Sequence, residues 1–176
     1  MRPLRPGGAE YCMMDHALRY AAQGKPVFPL HWPERGVCSC GKPDCGRSSA
    51  KHPRTPHGLN DATTNPEQIQ KWWTQWPDAN IGISTGQVSG IVVVDVDPEK
   101  GGMESWIELQ DLYGRIDTLT SLTGGGGMHL WFQAPADGLK STASQIAPGI
   151  DTRAEGGYVV APPSLHISGQ RYAWEG

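Results

Sequence analysis

Apolar residues recur along this chain at two different periods, and the switches between them mark out its elements. Ile69, Trp72, Trp73 and Trp76 fall three and four apart, the spacing of one helix face. Asn65-Pro66 stands just before them, a capping residue followed by proline at the first helical position, so a helix starts there. The tryptophans are expected as an inward stripe packed on a core rather than as a base-stacking platform. Asp15–Gln23 (DHALRYAAQ) reads as a short helix stopped by Gly24 and leading into a strand at Val27–Leu30. Met103–Tyr113 reads as an amphipathic helix closed by Gly114. Short β-branched or alternating runs predict strands at Ile81–Ser84, Ile91–Asp97, Met128–Gln133 and Tyr158–Ala161. Residues 1–13 read as a loose arm, and residues 31–57, rich in Gly, Pro and Cys, as a loop. Helices and strands alternate without a repeat or a linker, which predicts a mixed α+β or α/β sheet domain.

Composition narrows the choice. At 176 residues the chain is read as one domain with enough sequence to bury a core. Fifteen prolines and 23 glycines favour many turns over long helices. A net charge of −3 does not advertise a nucleic-acid binder, although an acidic centre masks a basic groove in such a total. No apolar run reaches membrane-spanning length, and residues 1–13 lack the core of a signal peptide. A cytoplasmic protein without a membrane partner is expected.

Four clusters carry candidate chemistry. In IVVVDVD (Ile91–Asp97), strand alternation points Asp95 and Asp97 to one face, with Cα atoms roughly 6.6–6.8 Å apart. Like charges so placed repel unless a cation or an Arg/Lys cluster neutralises them, so the pair is either a metal site or a solvated strand end. Cys38, Cys40 and Cys45, with His52 seven residues beyond Cys45, make a Cys3His set suited to zinc, in a spacing that is not a standard finger. His57 is an alternative fourth ligand, while Cys12 is too distant along the chain. Such a zinc would be structural, fixing a long loop apart from the carboxylates. TGGGGMHLWF (Thr123–Phe132) places a glycine turn, able to offer N–H groups to an anion, directly before His129 on a strand. In GIDTRAEGGYVVAPPS (Gly149–Ser164), Asp151 and Arg153 share a face if extended, and taken alone they read as an ion pair.

The order of these clusters resembles the bifunctional primase–polymerase (prim-pol) domain of the archaeo-eukaryotic primase superfamily. Matching pieces run from Ala17 to Trp174: ALRYAAQGKPVFPL, the KHPRTPHGLNDATTNPEQIQKWWTQWPDANIGISTG stretch, GIVVVDVDPEKGG, TGGGGMHLWF, PGIDTRAEGGYVVAPPS and SGQRYAW. The resemblance implies an α+β fold in which an RNA-recognition-motif-like catalytic sheet lies beside a smaller α/β lobe, with the cleft between them. It implies divalent metal (Mg²⁺ or Mn²⁺) on Asp95, Asp97 and Asp151, and incoming triphosphate on His129, with Arg153 and Lys51 suited to help position it. Gly127 departs from the family pattern, which usually has a small hydroxyl residue there; that contact is then either absent or supplied by Thr123 or Ser121. The Cys/His loop resembles a zinc-bearing insertion of some bacterial and phage members. The implied activity is primer synthesis and extension on a single-stranded DNA template from NTPs or dNTPs. Family members often continue into helical or helicase regions, so the chain is expected to be a fragment with such a region C-terminal to it.

Two rival readings use the same residues. Paired carboxylates and a histidine also suit a metal-dependent nuclease. A non-catalytic, zinc-stabilised DNA-binding module of a replication initiator is the other, and the acid triad speaks against it, because a binding module has no need to crowd acids where phosphates go.

Overall fold

The computed structural model of the protein describes residues 12–176. The expected N-terminal arm lies outside the described residues up to residue 11, and Met13 is already helical. The chain runs through α1 (Met13–Ala22), β1 (Val27–Leu30), a small hairpin of β2 (Pro33–Glu34) and β3 (Val37–Cys38), α2 (Pro66–Gln75), β4 (Asn80–Ser84), β5 (Ile91–Val96) and α3 (Gly102–Tyr113). It continues through β6 (Thr120–Leu122), β7 (Met128–Gln133), β8 (Thr142–Ala147), β9 (Ile150–Arg153), β10 (Tyr158–Ala161) and β11 (Ala173–Trp174). Single 3-10 turns occupy Gly46–Ser48, Gly58–Asp61 and Pro98–Lys100.

The strands form a three-stranded sheet in the order β1-β4-β10 and a six-stranded sheet in the order β11-β6-β7-β5-β9-β8, beside the hairpin. Their pairings are antiparallel throughout, which resolves the sequence-based choice in favour of α+β. Asn65 caps α2 as expected, its side chain accepting from the N–H groups of Glu67 and Gln68. Ile69 and Trp73 are buried, but the stripe ends early: Trp76 is half-buried, and the Arg54 guanidinium lies 4.5 Å from its ring centre and 5.3 Å from that of Trp32. Helices α1 and α2 pack on the small sheet, and their core reaches Val93 and Trp131 on one face of the large sheet. The other face of the large sheet carries Val96, Leu130 and Ile150 against Trp106 of α3.

Three crossings join the sheets: residues 162–172 lead from β10 to β11, and two shorter ones pair with each other. Residues 85–90 lead from β4 to β5 and residues 154–157 lead from β9 to β10, and the two segments bond to each other. Thr85 Oγ1 donates to the Ala154 carbonyl (2.7 Å), Thr85 N–H to the Gly157 carbonyl (3.0 Å), and Gln87 N–H to Glu155 Oε1 (2.6 Å).

Asn80, 1% exposed, ties the cysteine loop to the rest. Its amide nitrogen faces the carbonyls of Ala50 (2.9 Å), Leu165 (2.7 Å) and His31 (3.3 Å), and its oxygen accepts from Leu165 N–H (2.8 Å). Removing the amide leaves several buried backbone groups without partners. Asn80→Ala should therefore lower the unfolding free energy by about 2–4 kcal/mol. A urea melt that shifts by much less would show that water replaces the clamp.

Candidate active site

Alternation along β5 places Val93 and Asp95 on the face that meets the small lobe, and Val94 and Val96 on the face beneath α3. Register adds the neighbours. Asp95 sits opposite His129 of β7 on one side and Asp151 of β9 on the other, and Arg153 of β9 sits opposite Val93. Asp97 lies one residue past the end of β5 in an extended conformation (φ −99°, ψ 105°) and caps the turn Pro98–Lys100, its Oδ1 accepting from Glu99 N–H at 3.1 Å. The turn folds back tightly: a Cβ on Gly102 would stand 2.6 Å from the Gly149 carbonyl and 2.7 Å from that of Asp97. The three acids expected from sequence thus arrive from two adjacent strands and one strand end.

Two cations hold them together. One Arg153 nitrogen lies 3.1 Å from both Asp95 Oδ2 and Asp151 Oδ2. The Lys100 ammonium lies 3.0 Å from Asp97 Oδ2 and 3.7 Å from Asp151 Oδ2. The hydrogen bond to Asp97 holds the Lys100 pKa above its ordinary value, with Asp151 adding to it against the cost of burial. Asp151 is the deepest acid, its side chain 4% exposed, and its other oxygen accepts from Ser144 N–H at 2.9 Å. Donors on both oxygens, with the Lys100 ammonium close by, fix the orientation of this buried carboxyl group.

His129 is buried beside them, and neither ring nitrogen has a hydrogen bond. Nδ1 is enclosed without a partner, and Nε2 is 3.6 Å from Asp95 Oδ1, longer than a hydrogen bond. Burial, against the pull of Asp95, lowers its pKa, so the imidazole is neutral. Ser121 is fully buried, accepts from the Trp131 indole N–H (3.0 Å) and does not line the cleft that Thr123 and His129 line. Thr123 Oγ1 accepts from Gly127 N–H (3.0 Å) and lies 3.3 Å from where a Gly127 Cβ would be. That Cβ would itself stand 2.3 Å from the Val96 carbonyl, so glycine is required at 127, and the Thr123 hydroxyl is the one beside it.

These groups open into one cleft of about 700 Å³. Asp95, Asp97, Lys100, Thr123, His129 and Arg153 line one side, and Arg47, Ser48, Ser49 and Lys51 of the cysteine loop line another, with Tyr158, His166 and Tyr172 among the remainder. The family model for the N-terminal domain of bifunctional DNA primase/polymerases matches residues 17–176. The chain belongs to the prim-pol family. No curated protein matches it.

In this prim-pol chain the cysteine cluster forms as the spacing suggested. Cys38, Cys40, Cys45 and His52 bring one donor atom each within 4.8 Å of one another, the one set of three or more Cys, His, Asp or Glu donors that does so among the described residues. His57 is outside it, exposed and paired with Asp61 at 3.0 Å. Cys38 Sγ is 3.4 Å from His52 Nε2, close to the roughly 3.5 Å edge of a zinc tetrahedron with one sulfur and one nitrogen. Cys40 and Cys45 share a proton across 3.0 Å, which lowers the Cys40 pKa and raises that of Cys45. A metal would spread these two sulfurs toward the roughly 3.8 Å edge of such a site. The ligands themselves do not line the cleft, but the segment between Cys45 and His52 does.

Arg47 and Lys100 were missed in the sequence reading. Lys100 had a signal: it follows Asp97 by three residues in PEK, within reach of it in any single turn. Arg47 had none beyond its place between two metal-ligand candidates.

Several imidazoles sit below their ordinary pKa, His129, His166 and His31 all chiefly through burial, with His31 brought to about 4. The unfolded chain takes up these protons near pH 6.5 while the folded chain does not, so stability falls as pH drops through 6.5 toward 4 and is unaffected above about 7. The urea midpoint should decline from pH 7 to pH 5, and less steeply in His129→Gln. Equal slopes in the two proteins would remove His129 from the linkage.

Proposed function

We propose that this chain is a template-directed nucleotidyltransferase that synthesises and extends primers on single-stranded DNA from NTPs or dNTPs. The observation that carries the reading is the convergence of Asp95 and Asp97, which line a cleft with His129, and of Asp151 buried beside them, in a prim-pol family chain whose His129 has no hydrogen-bond partner. On this reading the six-stranded sheet is the catalytic lobe and the three-stranded sheet with α1 and α2 the smaller one. The chain acts as one catalytic domain, with a helical or helicase region expected C-terminal to it, in the cytoplasm.

The donor set suits two kinds of metal in two places. Hard carboxylate oxygens of Asp95, Asp97 and Asp151 would hold Mg²⁺ or Mn²⁺, and the thiolates of Cys38, Cys40 and Cys45 with His52 would hold zinc. When bound, the hard ions supply charge that activates a 3′-hydroxyl and neutralises a leaving pyrophosphate. The chain's own groups place the substrate. His129, neutral and free of other hydrogen bonds, offers a donor to a phosphate oxygen; Arg153 and Lys51, which line the same cleft, offer positive charge. Thr123 offers a hydroxyl at the mouth of the glycine turn. Zinc ligation at Cys45 and His52 would hold both ends of the segment that carries Arg47 and Lys51.

Primer synthesis on a single-stranded template, with NTPs and dNTPs compared, tests the activity directly. Asp97→Asn should abolish incorporation, a loss of at least about a thousandfold, while the thermal melt stays close to wild type. Near-normal incorporation by that variant at saturating Mn²⁺ would remove the acids from the chemistry, and template degradation in place of synthesis would favour a nuclease.

Zinc is tested separately. Purified, untagged and reduced protein should contain about one zinc per chain, and Cys45→Ser should lose it and loosen the segment through Arg54. Elemental analysis near zero for the wild type would leave the cluster without a metal role.

A further inference from the structure

We propose that Lys100 is a displaceable counter-ion that closes the Asp97–Asp151 position in the metal-free enzyme and, when metal enters, turns its charge to the phosphates of the nucleotide. The inference rests on the reading of Asp95, Asp97 and Asp151 as the metal-binding acids.

The two cations in the acid cluster differ in how they are held. Arg153 belongs to β9, which pairs with β5 at Val93, and it shares a strand face with Asp151, so its position is set by the sheet. Lys100 ends a single 3-10 turn and is followed by Gly101 in the left-handed region (φ 78°). The two side chains are about equally open to solvent, 34% for Lys100 and 37% for Arg153, so the difference lies in the backbone beneath them. Among the described residues the Lys100 ammonium is anchored by the two carboxylates alone. A long, flexible stem on an exposed turn moves at little cost.

Geometry makes the move necessary. An oxygen-ligated Mg²⁺ sits about 2.0–2.1 Å from its carboxylates. The ammonium at 3.0 Å from Asp97 Oδ2 already occupies the space between Asp97 and Asp151. A divalent ion there and an ammonium in van der Waals contact with it repel strongly, so one must leave. Asp97 cannot turn away to accommodate both, because its other oxygen is engaged by Glu99 N–H. The lysine can, since it lines the same cleft as Lys51, Thr123 and His129, where the triphosphate is placed on this reading.

Charge bookkeeping points the same way. With Arg153 and Lys100 paired to them, the three acids carry a formal net −1. Metal entry frees one positive charge at the moment when a polyanion arrives. Metal and nucleotide should therefore bind cooperatively, each favouring the state in which Lys100 has left the carboxylates.

The test is a Mn²⁺ titration of the 176-residue chain, with free Mn²⁺ followed by electron paramagnetic resonance and no nucleotide present. Wild type, Lys100→Met, Lys100→Arg and Asp97→Asn are compared, and a triphosphate with a non-hydrolysable α,β-bridge is then titrated calorimetrically at saturating Mn²⁺. Lys100→Met should bind Mn²⁺ about tenfold more tightly and the triphosphate several-fold more weakly, while Lys100→Arg, which keeps the charge, should bind Mn²⁺ no more tightly than wild type. Asp97→Asn should lose Mn²⁺ binding. If Asp97→Asn loses it but Lys100→Met matches or falls below the wild type, the counter-ion role is wrong while the metal site stands. If Asp97→Asn binds Mn²⁺ as well as the wild type, the site assignment fails and the inference with it.

Discussion

Three carboxylates on neighbouring positions of one sheet cannot coexist without positive charge among them, and much of the local architecture follows from that constraint. Asp95 and Asp151 are cross-strand partners, so the antiparallel register itself forces them together. Arg153 sits two residues along the same strand face and spans both. Asp97 joins from the strand end through Lys100, and the turn that presents this lysine needs the close approach of Gly102 to Gly149. Side chains beneath are apolar and packed on α3, so the charge has no other direction in which to be relieved. The acid cluster, its two cations and the glycine contact behind it form one unit.

That unit was partly legible in the chain. Alternation in IVVVDVD correctly put Asp95 and Asp97 on one side, and Asn65-Pro66 correctly started α2, because both depend only on local periodicity and capping. Asp151 was different: nothing local joins it to Asp95, fifty-six residues away, and only the sheet order β7-β5-β9 does so. Its assignment came from resemblance to a family, and the register supplies the physical reason. The strands β6, β8 and β11 went unread because they are short or irregular pieces at the sheet's edges or, for β6, next to one, and their apolar residues are few; β8 even shifts register against β9. Trp76 was read as core by its spacing, yet the helix ends there and a tertiary contact with Arg54 takes over.

The cysteine loop was legible in composition and illegible in placement. Spacing grouped Cys38, Cys40, Cys45 and His52, and the structure brings the same four together. What spacing could not tell is that Asn80 pins Ala50 and His31 from within β4, turning the loop's outer segment toward the carboxylates. A stretch that looked like a remote insertion is a wall of the cleft. Arg47 and Lys51 of that wall join Lys100 and Arg153 in lining the cleft, basic residues hidden in a net charge of −3.

The paired crossings between the sheets bear on how such a cleft handles a moving substrate. Residues 85–90 and 154–157 are short, and they are bonded to each other through Thr85, Gln87 and Glu155. Jaw-like closure of one sheet on the other would have to break those bonds at its pivot. Those bonds set the width of the groove in the backbone, so on the proposed activity adjustment to each new base pair would fall to side chains and to the segment between Cys45 and His52, and a polymer would be drawn through a groove of fixed gauge.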